Sequence, residues 1–364
     1  MVDHPMHIGL VGPLPPPFGG MANQTRQLAE LLRGEGLMVS VVQTNAEYRP
    51  SWVSGLPVIR AFFRLVPYLL NLWNITGQCD LLHVMANSGW SWHLFATPAI
   101  WIAELRKTPV IVNYRGGEAA TFLANSSQSV GLSMRQASAL VVPSGFLKTV
   151  FASFNMAAKI VPNIVDIEHF SNPTPHRPSR RHLLIARNLE PIYDNETAIR
   201  AFFTVHRSYP DATLTIAGPG PLAASLQALA ASLGLAGAIT FAGRLDRDAM
   251  AEAYRNADIA INPSLVDNMP NSVLEALASA VPVVSTNVGG VPYIVKDGQT
   301  ALLVPPGSPD AMAEAILRLM DDSALSEQLV KNGLSEVQQY TWQRVWPLLS
   351  NVYEQASYAR RLTA

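Results

Sequence analysis

The sequence predicts an α/β protein made of two parallel-sheet domains. Three observations carry this. Short apolar runs rich in Val and Ile alternate with helical patterns along the whole chain, these runs fall into two successive series, and 364 residues suit two domains at roughly 150 residues each. Runs that stay apolar without in/out alternation fit strands buried on both faces. Strand alternating with helix implies parallel pairing.

The first series of strand-like runs is 7–11, 38–42, 81–85, 110–113, 139–142 and 159–161. The second is 182–186, 213–217, 239–241, 259–262, 281–285 and 301–304. The clearest helical patterns are 24–33, 221–233, 247–256, 273–280 and 309–321. Between the series lie Ser171-Asn172-Pro173-Thr174-Pro175 and Arg177-Pro178-Ser179-Arg180-Arg181, proline-rich and polar as linkers are. The expected division is therefore 1–170, a linker at 171–181, a second domain at 182–340, and a helical tail at 341–364 carrying Trp342, Trp346, Leu348, Val352 and Tyr353. No repeat of solenoid length is present.

Charged residues make up 15% of the chain and hydrophobic ones 49%, which excludes a disordered chain. The balance of 26 basic against 27 acidic residues predicts no nucleic-acid partner. Sparse charge points to a surface that meets an apolar partner. A single cysteine, Cys79, excludes a disulfide framework and a Cys-rich zinc module, and a reducing cytoplasm is the simplest setting. The first residues do not read as a secretory signal. The stretches 65–79 and 81–103 are too short or too polar to span a membrane, so the Asn74-Ile75-Thr76 sequon carries no meaning.

Three loops can carry chemistry. After the first strand, Gly12-Pro13-Leu14-Pro15-Pro16-Pro17-Phe18-Gly19-Gly20 leads into a helix. Gly19 and Gly20 let a ligand approach the backbone, and the helix amides beyond can meet an anion; a plain strand-to-helix turn is the alternative. No Gly-Lys-Ser/Thr follows, so this is not a P-loop. Ile216-Ala217-Gly218-Pro219-Gly220-Pro221-Leu222-Ala223 fits the loose dinucleotide pattern. The next strand ends without an acid, and Pro219 and Pro221 remove two amides from any phosphate cradle, which argues against a nicotinamide enzyme. The third loop runs Asn262-Pro263-Ser264-Leu265-Val266-Asp267-Asn268-Met269-Pro270-Asn271-Ser272-Val273-Leu274-Glu275. Asp267 on a loop and Glu275 on the helix after it can face one pocket, accepting from ligand hydroxyls while the helix amides take phosphate. Ser272-x-x-Glu275 also reads as a capping box, which would tie Glu275 to structure alone.

With Val288-Gly289-Gly290-Val291-Pro292 and Asp297-Gly298 following, the sequence resembles glycosyltransferase family 4. Phe18-Gly19-Gly20, Val142-Pro143-Ser144, Val161-Pro162-Asn163-Ile164-Val165-Asp166 and Gly218-Pro219-Gly220 share the likeness, which covers nearly the whole chain and is most specific in its second half. The resemblance implies a GT-B fold: two Rossmann-like, doubly wound domains facing across a cleft, the N-terminal one on the acceptor side and the C-terminal one binding the nucleotide sugar. It implies a retaining, metal-independent transfer from a nucleotide sugar, without a cofactor, to a cell-envelope, lipid-linked or polysaccharide precursor. By position, Glu275 would bind the ribose hydroxyls and Asp267 the hydroxyls of the donor sugar. Amides around Asn268, Met269, Asn271 and Ser272 would meet phosphate and sugar. Gly19 and Gly20 would pack on the diphosphate and Arg187 would clamp it. The tail from Thr341 would cross back to the N-terminal domain.

Three departures from the family pattern stand out. Asp267 replaces the usual Glu, a reach shorter by about 1.5 Å. Tyr193 stands where the clamp usually adds a lysine, so Arg244 or Lys148 are candidates for a replacement cation. Arg115, in Val112-Asn113-Tyr114-Arg115-Gly116, fills a segment where the family often has a histidine. It keeps its proton, so it would bind an anionic acceptor or the leaving phosphate and not act as a base; a structural arginine at a strand end is the alternative. Two other readings remain open: a degenerate member that binds a nucleotide or a partner as a scaffold, and a nucleotide-sugar epimerase. UDP is the expected nucleotide because it is the common one. Trp52-Val53 and the run 58–70, with Phe62, Phe63 and Arg64, suggest peripheral association with the inner face of the membrane, or ordinary core packing.

Overall fold

The structure is a computed structural model that describes residues 5–16, 19–48, 57–171 and 181–361. Phe18, Trp52, Val53, Leu56 and positions 172–180 of the expected linker lie outside the described residues.

The chain forms two compact units. The N-terminal unit is Met1–Asn163 with Val345–Ala364, and the C-terminal unit is Ile164–Arg344. The first holds strands β1 (His7–Gly12), β2 (Met38–Gln43), β3 (Leu81–Ala86), β4 (Val110–Tyr114), β5 (Ala139–Val142) and β6 (Lys159–Ile160). They form one sheet in the order β2-β1-β3-β4-β5-β6, every pair parallel. The second holds β7 (His182–Ala186), β8 (Thr213–Ala217), β9 (Ile239–Gly243), β10 (Ile259–Asn262), β11 (Val283–Thr286) and β12 (Leu302–Val304). Their order is β12-β11-β10-β7-β8-β9, again all parallel. Both faces of each sheet are covered, and β3 and β10 are buried along their whole length, as their largely apolar runs require.

The division between the units falls at Asn163/Ile164, earlier than the linker expected at 171–181. Packing is the reason. The Val165 amide donates to the Tyr340 carbonyl at 3.0 Å. Phe170 stacks edge-on against Tyr254, and Ser279 Oγ donates to the Phe170 carbonyl at 2.8 Å. The segment after Asn163 thus belongs to the C-terminal core before any proline-rich stretch is reached.

The last helix, Trp342–Arg361, starts in the C-terminal unit and from Val345 counts with the N-terminal one. Its residues Val345, Leu349, Val352, Tyr353 and Ala356 are buried at helical spacing.

Candidate active site

In the C-terminal sheet β7 has β10 on one side and β8 on the other. The strand order reverses between β7 and β10, so the loops leaving their carboxyl ends diverge and open a crevice. Arg187 follows β7. Asp267 follows β10, on the loop that feeds the helix Asn271–Ala278. The two loops are tied together, since the Leu265 amide donates to the Ile192 carbonyl at 2.8 Å.

Arg187 is fixed on three sides. Its Nε donates to Asn262 Oδ1 at 2.7 Å and a terminal nitrogen donates to the Asp267 carboxylate. Its guanidinium lies over the Tyr193 ring, 4.9 Å from the centroid. Arg187 and Asp267 side chains are each 11% exposed. Burial pushes the Arg187 pKa down, against the pull of Tyr193, Tyr254 and Glu275. Asn262 is held in turn: its Nδ2 donates to Ser285 Oγ on β11 at 2.9 Å, and its oxygen also accepts from Ser264 Oγ at 3.0 Å. Tyr193 therefore supplies no cation at the lysine position; it stacks on the arginine already there.

The Gly218-Pro219-Gly220 turn has a structural task. A Cβ on Gly218 would lie 2.1 Å from the Arg187 carbonyl oxygen, and one on Gly220 2.4 Å from that of Leu189. The Leu189 amide donates to the Pro219 carbonyl at 2.9 Å. The glycines let one loop backbone rest directly on the other and so brace the Arg187 loop.

The capping box read from Ser272 and Glu275 does not form. The helix begins at Asn271 with Pro270 at its cap position and no side-chain cap bond. Ser272 sits inside the first turn, its Oγ buried without a hydrogen-bond partner. Glu275 is thereby released from capping. Its carboxyl is partly buried, and burial pushes its pKa up to about 7 despite the Tyr254 hydroxyl bond and the Arg187 and Arg247 charges that pull it down. Tyr254, buried on the helix Arg247–Asn256, donates to the Ser272 carbonyl at 3.0 Å. The first-turn amides of Asn271–Ala278 form the positive end of the helix dipole. Asn268 and Met269 are buried, Met269 within the apolar cluster, so what Met269 offers a ligand is backbone. Asp267 is steadied by its carbonyl, which accepts from the Gly290 amide at 2.9 Å.

Arg187, Tyr193, Asp267, Ser272 and Glu275 are thus gathered at one sheet margin. Arg244 is exposed beyond β9, two strands from β7. Lys148 is exposed on the helix Gly145–Ala152 of the other unit. Sequence reasoning missed Tyr254 and Arg247, which lie in a helix without a motif, and the supporting role of Asn262, whose signal was a polar residue at the end of an apolar strand. In the N-terminal unit, Gly19 heads the helix Gly20–Gly34 with extended backbone, and a Cβ on Gly19 or Gly20 would meet nothing within 4 Å. Among the described residues, packing therefore does not require these glycines. Arg115 follows β4, and its NH1 reaches Gln24 in that same helix at 3.3 Å. Among the described residues, no cluster of three or more His, Cys, Asp or Glu could hold a metal ion.

The sequence pattern of the family described as glycosyl transferases group 1 matches residues 166–336, nearly the whole C-terminal unit. The C-terminal unit carries the sequence pattern of the group 1 glycosyltransferases. The chain is 25% identical to a phosphatidyl-myo-inositol mannosyltransferase of Mycobacterium leprae, over 96% of each chain. It is 32% identical to a D-inositol 3-phosphate glycosyltransferase of Acidothermus cellulolyticus, over 50% of this chain and 42% of that one. Among solved structures it resembles HepE of Anabaena in complex with UDP (TM-score 0.73, 16% identity, 97% of this chain and 100% of that one). It also resembles sucrose-phosphate synthase of Thermosynechococcus elongatus (TM-score 0.77, 20% identity, 97% and 100%). The two six-stranded parallel sheets are those of the GT-B fold.

Proposed function

We propose that this protein is a glycosyltransferase that moves a sugar from a nucleoside diphosphate sugar, UDP-linked by preference, to a hydroxyl of a lipid-linked, cell-envelope or polysaccharide acceptor, with retention at the anomeric carbon and without a metal or cofactor. The observation that carries the reading is the convergence of Arg187, Asp267, Glu275 and the start of the helix Asn271–Ala278 at the β7/β10 switch point.

Each part has a chemical task. The ionised Glu275 accepts from the ribose hydroxyls, and Asp267 accepts from the hydroxyls of the donor sugar. Arg187 and the amides at Asn271 and Ser272 face the diphosphate. When the bond from the sugar to the β-phosphate oxygen breaks, negative charge builds on that phosphate, and these fixed donors stabilise it at the moment it forms. The acceptor hydroxyl attacks from the face the phosphate leaves, and the departing phosphate oxygen takes its proton, so no protein base is needed. On the N-terminal unit, Gly19 and Gly20 leave backbone accessible to a phosphate group, and Arg115 is suited to an anionic group of the substrate.

The same reading puts the protein in the cytoplasm, at the inner face of the membrane. The helix Pro57–Thr76 exposes Phe62, Leu70 and Trp73, and the helix Thr97–Leu105 exposes Trp101 and Leu105. The Arg106 guanidinium lies 4.9 Å over the Trp73 ring. Exposed tryptophan and leucine edged by arginine suit the headgroup boundary of a bilayer. Among the described residues no helix is long and apolar enough to cross a membrane. The mannosyltransferase relative, named for a phosphatidyl-inositol acceptor, supports a lipid substrate.

The test is to incubate the full chain with labelled UDP-glucose, GDP-mannose or ADP-glucose and phosphatidylinositol vesicles or inositol phosphate, in EDTA, and to read the product anomer by proton NMR. Label moved with retention supports the reading. A donor that binds and never reacts points to the scaffold alternative, and donor conversion without acceptor to the epimerase.

A further inference from the structure

A run of buried hydrogen bonds joins the C-terminal helix to Arg115. Tyr353 lies on the helix Trp342–Arg361, His83 on β3 and Asn113 on the neighbouring β4, and all three are buried. The Tyr353 hydroxyl is 2.8 Å from His83 Nδ1, and His83 Nε2 is 3.0 Å from Asn113 Nδ2. Asn113 Oδ1 accepts from Arg115 Nε at 2.8 Å.

The last bond fixes the direction of all the others. A guanidinium only donates, so the Asn113 atom facing Arg115 is its oxygen. The amide nitrogen then faces His83 and donates, so Nε2 is unprotonated. The ring proton sits on Nδ1 and is donated to the Tyr353 oxygen. Burial, with the Arg115 charge adding to it, pushes the His83 pKa down to about 3, which keeps the ring neutral. Arg115 NH1 also donates to Gln24 and to Asn163, the last residue before the chain leaves the N-terminal unit. The bonds to Asn113, Gln24 and Asn163 end on amide oxygens, which orient the guanidinium without cancelling its charge.

We propose that His83 and Asn113 are positioning residues for Arg115, with Tyr353 of the C-terminal helix anchoring the far end of the run by accepting the His83 proton. The inference rests on the reading of Arg115 as a contact for the anionic group of the substrate. Packing alone would be served by leucine at these sheet positions. A polar triplet there is costly unless saturated, and what this one adds is a single orientation for the guanidinium it ends on.

The test uses the full chain with nitrogen-15 arginine and histidine, read by NMR, together with acceptor-free hydrolysis of UDP-glucose. In the wild type, His83 carries its proton on Nδ1 and the Arg115 Nε–H is as ordered as the backbone. Asn113→Leu frees that Nε–H and lowers kcat about tenfold, less than the ~100-fold loss of a whole stabilising donor, with KM for UDP-glucose unchanged. His83→Gln, which keeps an acceptor toward Asn113 and a donor toward Tyr353, restores most of the rate that His83→Leu loses. Tyr353→Phe removes the oxygen that accepts the His83 proton, keeps the fold, leaves that proton on Nδ1 and loosens the Arg115 Nε–H. An Arg115 Nε–H equally ordered in wild type, Asn113→Leu and Tyr353→Phe, or a wild-type His83 proton on Nε2, overturns the proposal. If UDP fails to bind while Arg115 loosens as expected, the positioning role stands and the transferase reading falls.

Discussion

Arg187 and Asp267, 80 residues apart in sequence, pair their charges at the mouth of the β7/β10 crevice. One side chain is assigned to phosphate and the other to sugar, and without ligand each holds the other in place. Removing one partner of a mostly buried pair leaves the other charge uncompensated, at a cost on the order of 3 kcal/mol. Arg187→Ala is therefore expected to lower Tm clearly and to abolish UDP-stimulated stabilisation. Asp267→Glu, which restores the family's longer side chain, keeps the pair and is expected to hold Tm while changing which donor sugar is turned over fastest. Thermal melts and a donor panel on both variants check this.

The aromatic ring of Tyr193 substitutes for a second cation only by stacking. An arginine–aromatic contact is worth about 0.5–2 kcal/mol. Tyr193→Phe keeps the face and should leave UDP affinity nearly unchanged, while Tyr193→Ala should weaken it by roughly twofold to thirtyfold. Calorimetric titration of UDP against the two variants decides it, and equal losses in both would mean that the hydroxyl, not the ring face, is what matters.

Glu275 makes binding depend on pH. Its pKa is raised to about 7 by burial, so its ionised fraction climbs about tenfold between roughly pH 6 and pH 8. The ribose hydroxyls need the carboxylate, hence UDP binds more tightly at the higher pH, and Glu275→Gln loses that slope. Stability runs the other way. The folded chain keeps a proton that the unfolded chain gives up near 4.5, so the stability this confers is complete below that pH and is lost as the pH rises through about 7. Glu275→Gln should flatten this fall in Tm. A wild-type affinity that does not change with pH removes Glu275 from the ribose.

Two glycine pairs should respond in opposite ways. Gly218→Ala drives a methyl into the Arg187 carbonyl, an overpacking cost of about 1–3 kcal/mol, or a Tm loss of several degrees. Gly19→Ala meets nothing in the unliganded protein, so its Tm should not move, while its sugar-transfer rate should fall. A Gly19→Ala variant with full activity takes that loop out of the site.

Membrane association should follow the exposed tryptophans. The chain is expected to sediment with vesicles containing phosphatidylglycerol, and Trp73→Ala with Trp101→Ala to weaken this about tenfold. Equal binding by wild type and double variant removes this face from the interface.

The fold was largely legible because each strand carries its own apolar run: 213–217 and 259–262 coincide with β8 and β10. Where reading failed, tertiary contacts decided. The run at 281–285 starts its strand only at Val283. The domain division moved because Phe170 is held by Tyr254 and Ser279, which no local pattern announces. The Ser272–Glu275 capping signature lost to a helix start two residues earlier, after Pro270. Asp267 and Glu275 stood out as a pair on the loop and helix after a strand, and Arg187 only through the family resemblance. Their mutual pairing, the Tyr193 stack and the His83–Asn113 support of Arg115 were not, since each joins residues far apart in the chain.

The central claim is that the C-terminal unit binds a nucleoside diphosphate through Glu275 and the start of the helix Asn271–Ala278. Titrating UDP into the purified full chain in EDTA, beside Glu275→Ala, tests it most directly. The account predicts saturable binding by the wild type and affinity weakened at least tenfold in the variant, a difference of about 1.4 kcal/mol. Identical affinities in a variant that melts like the wild type would contradict it.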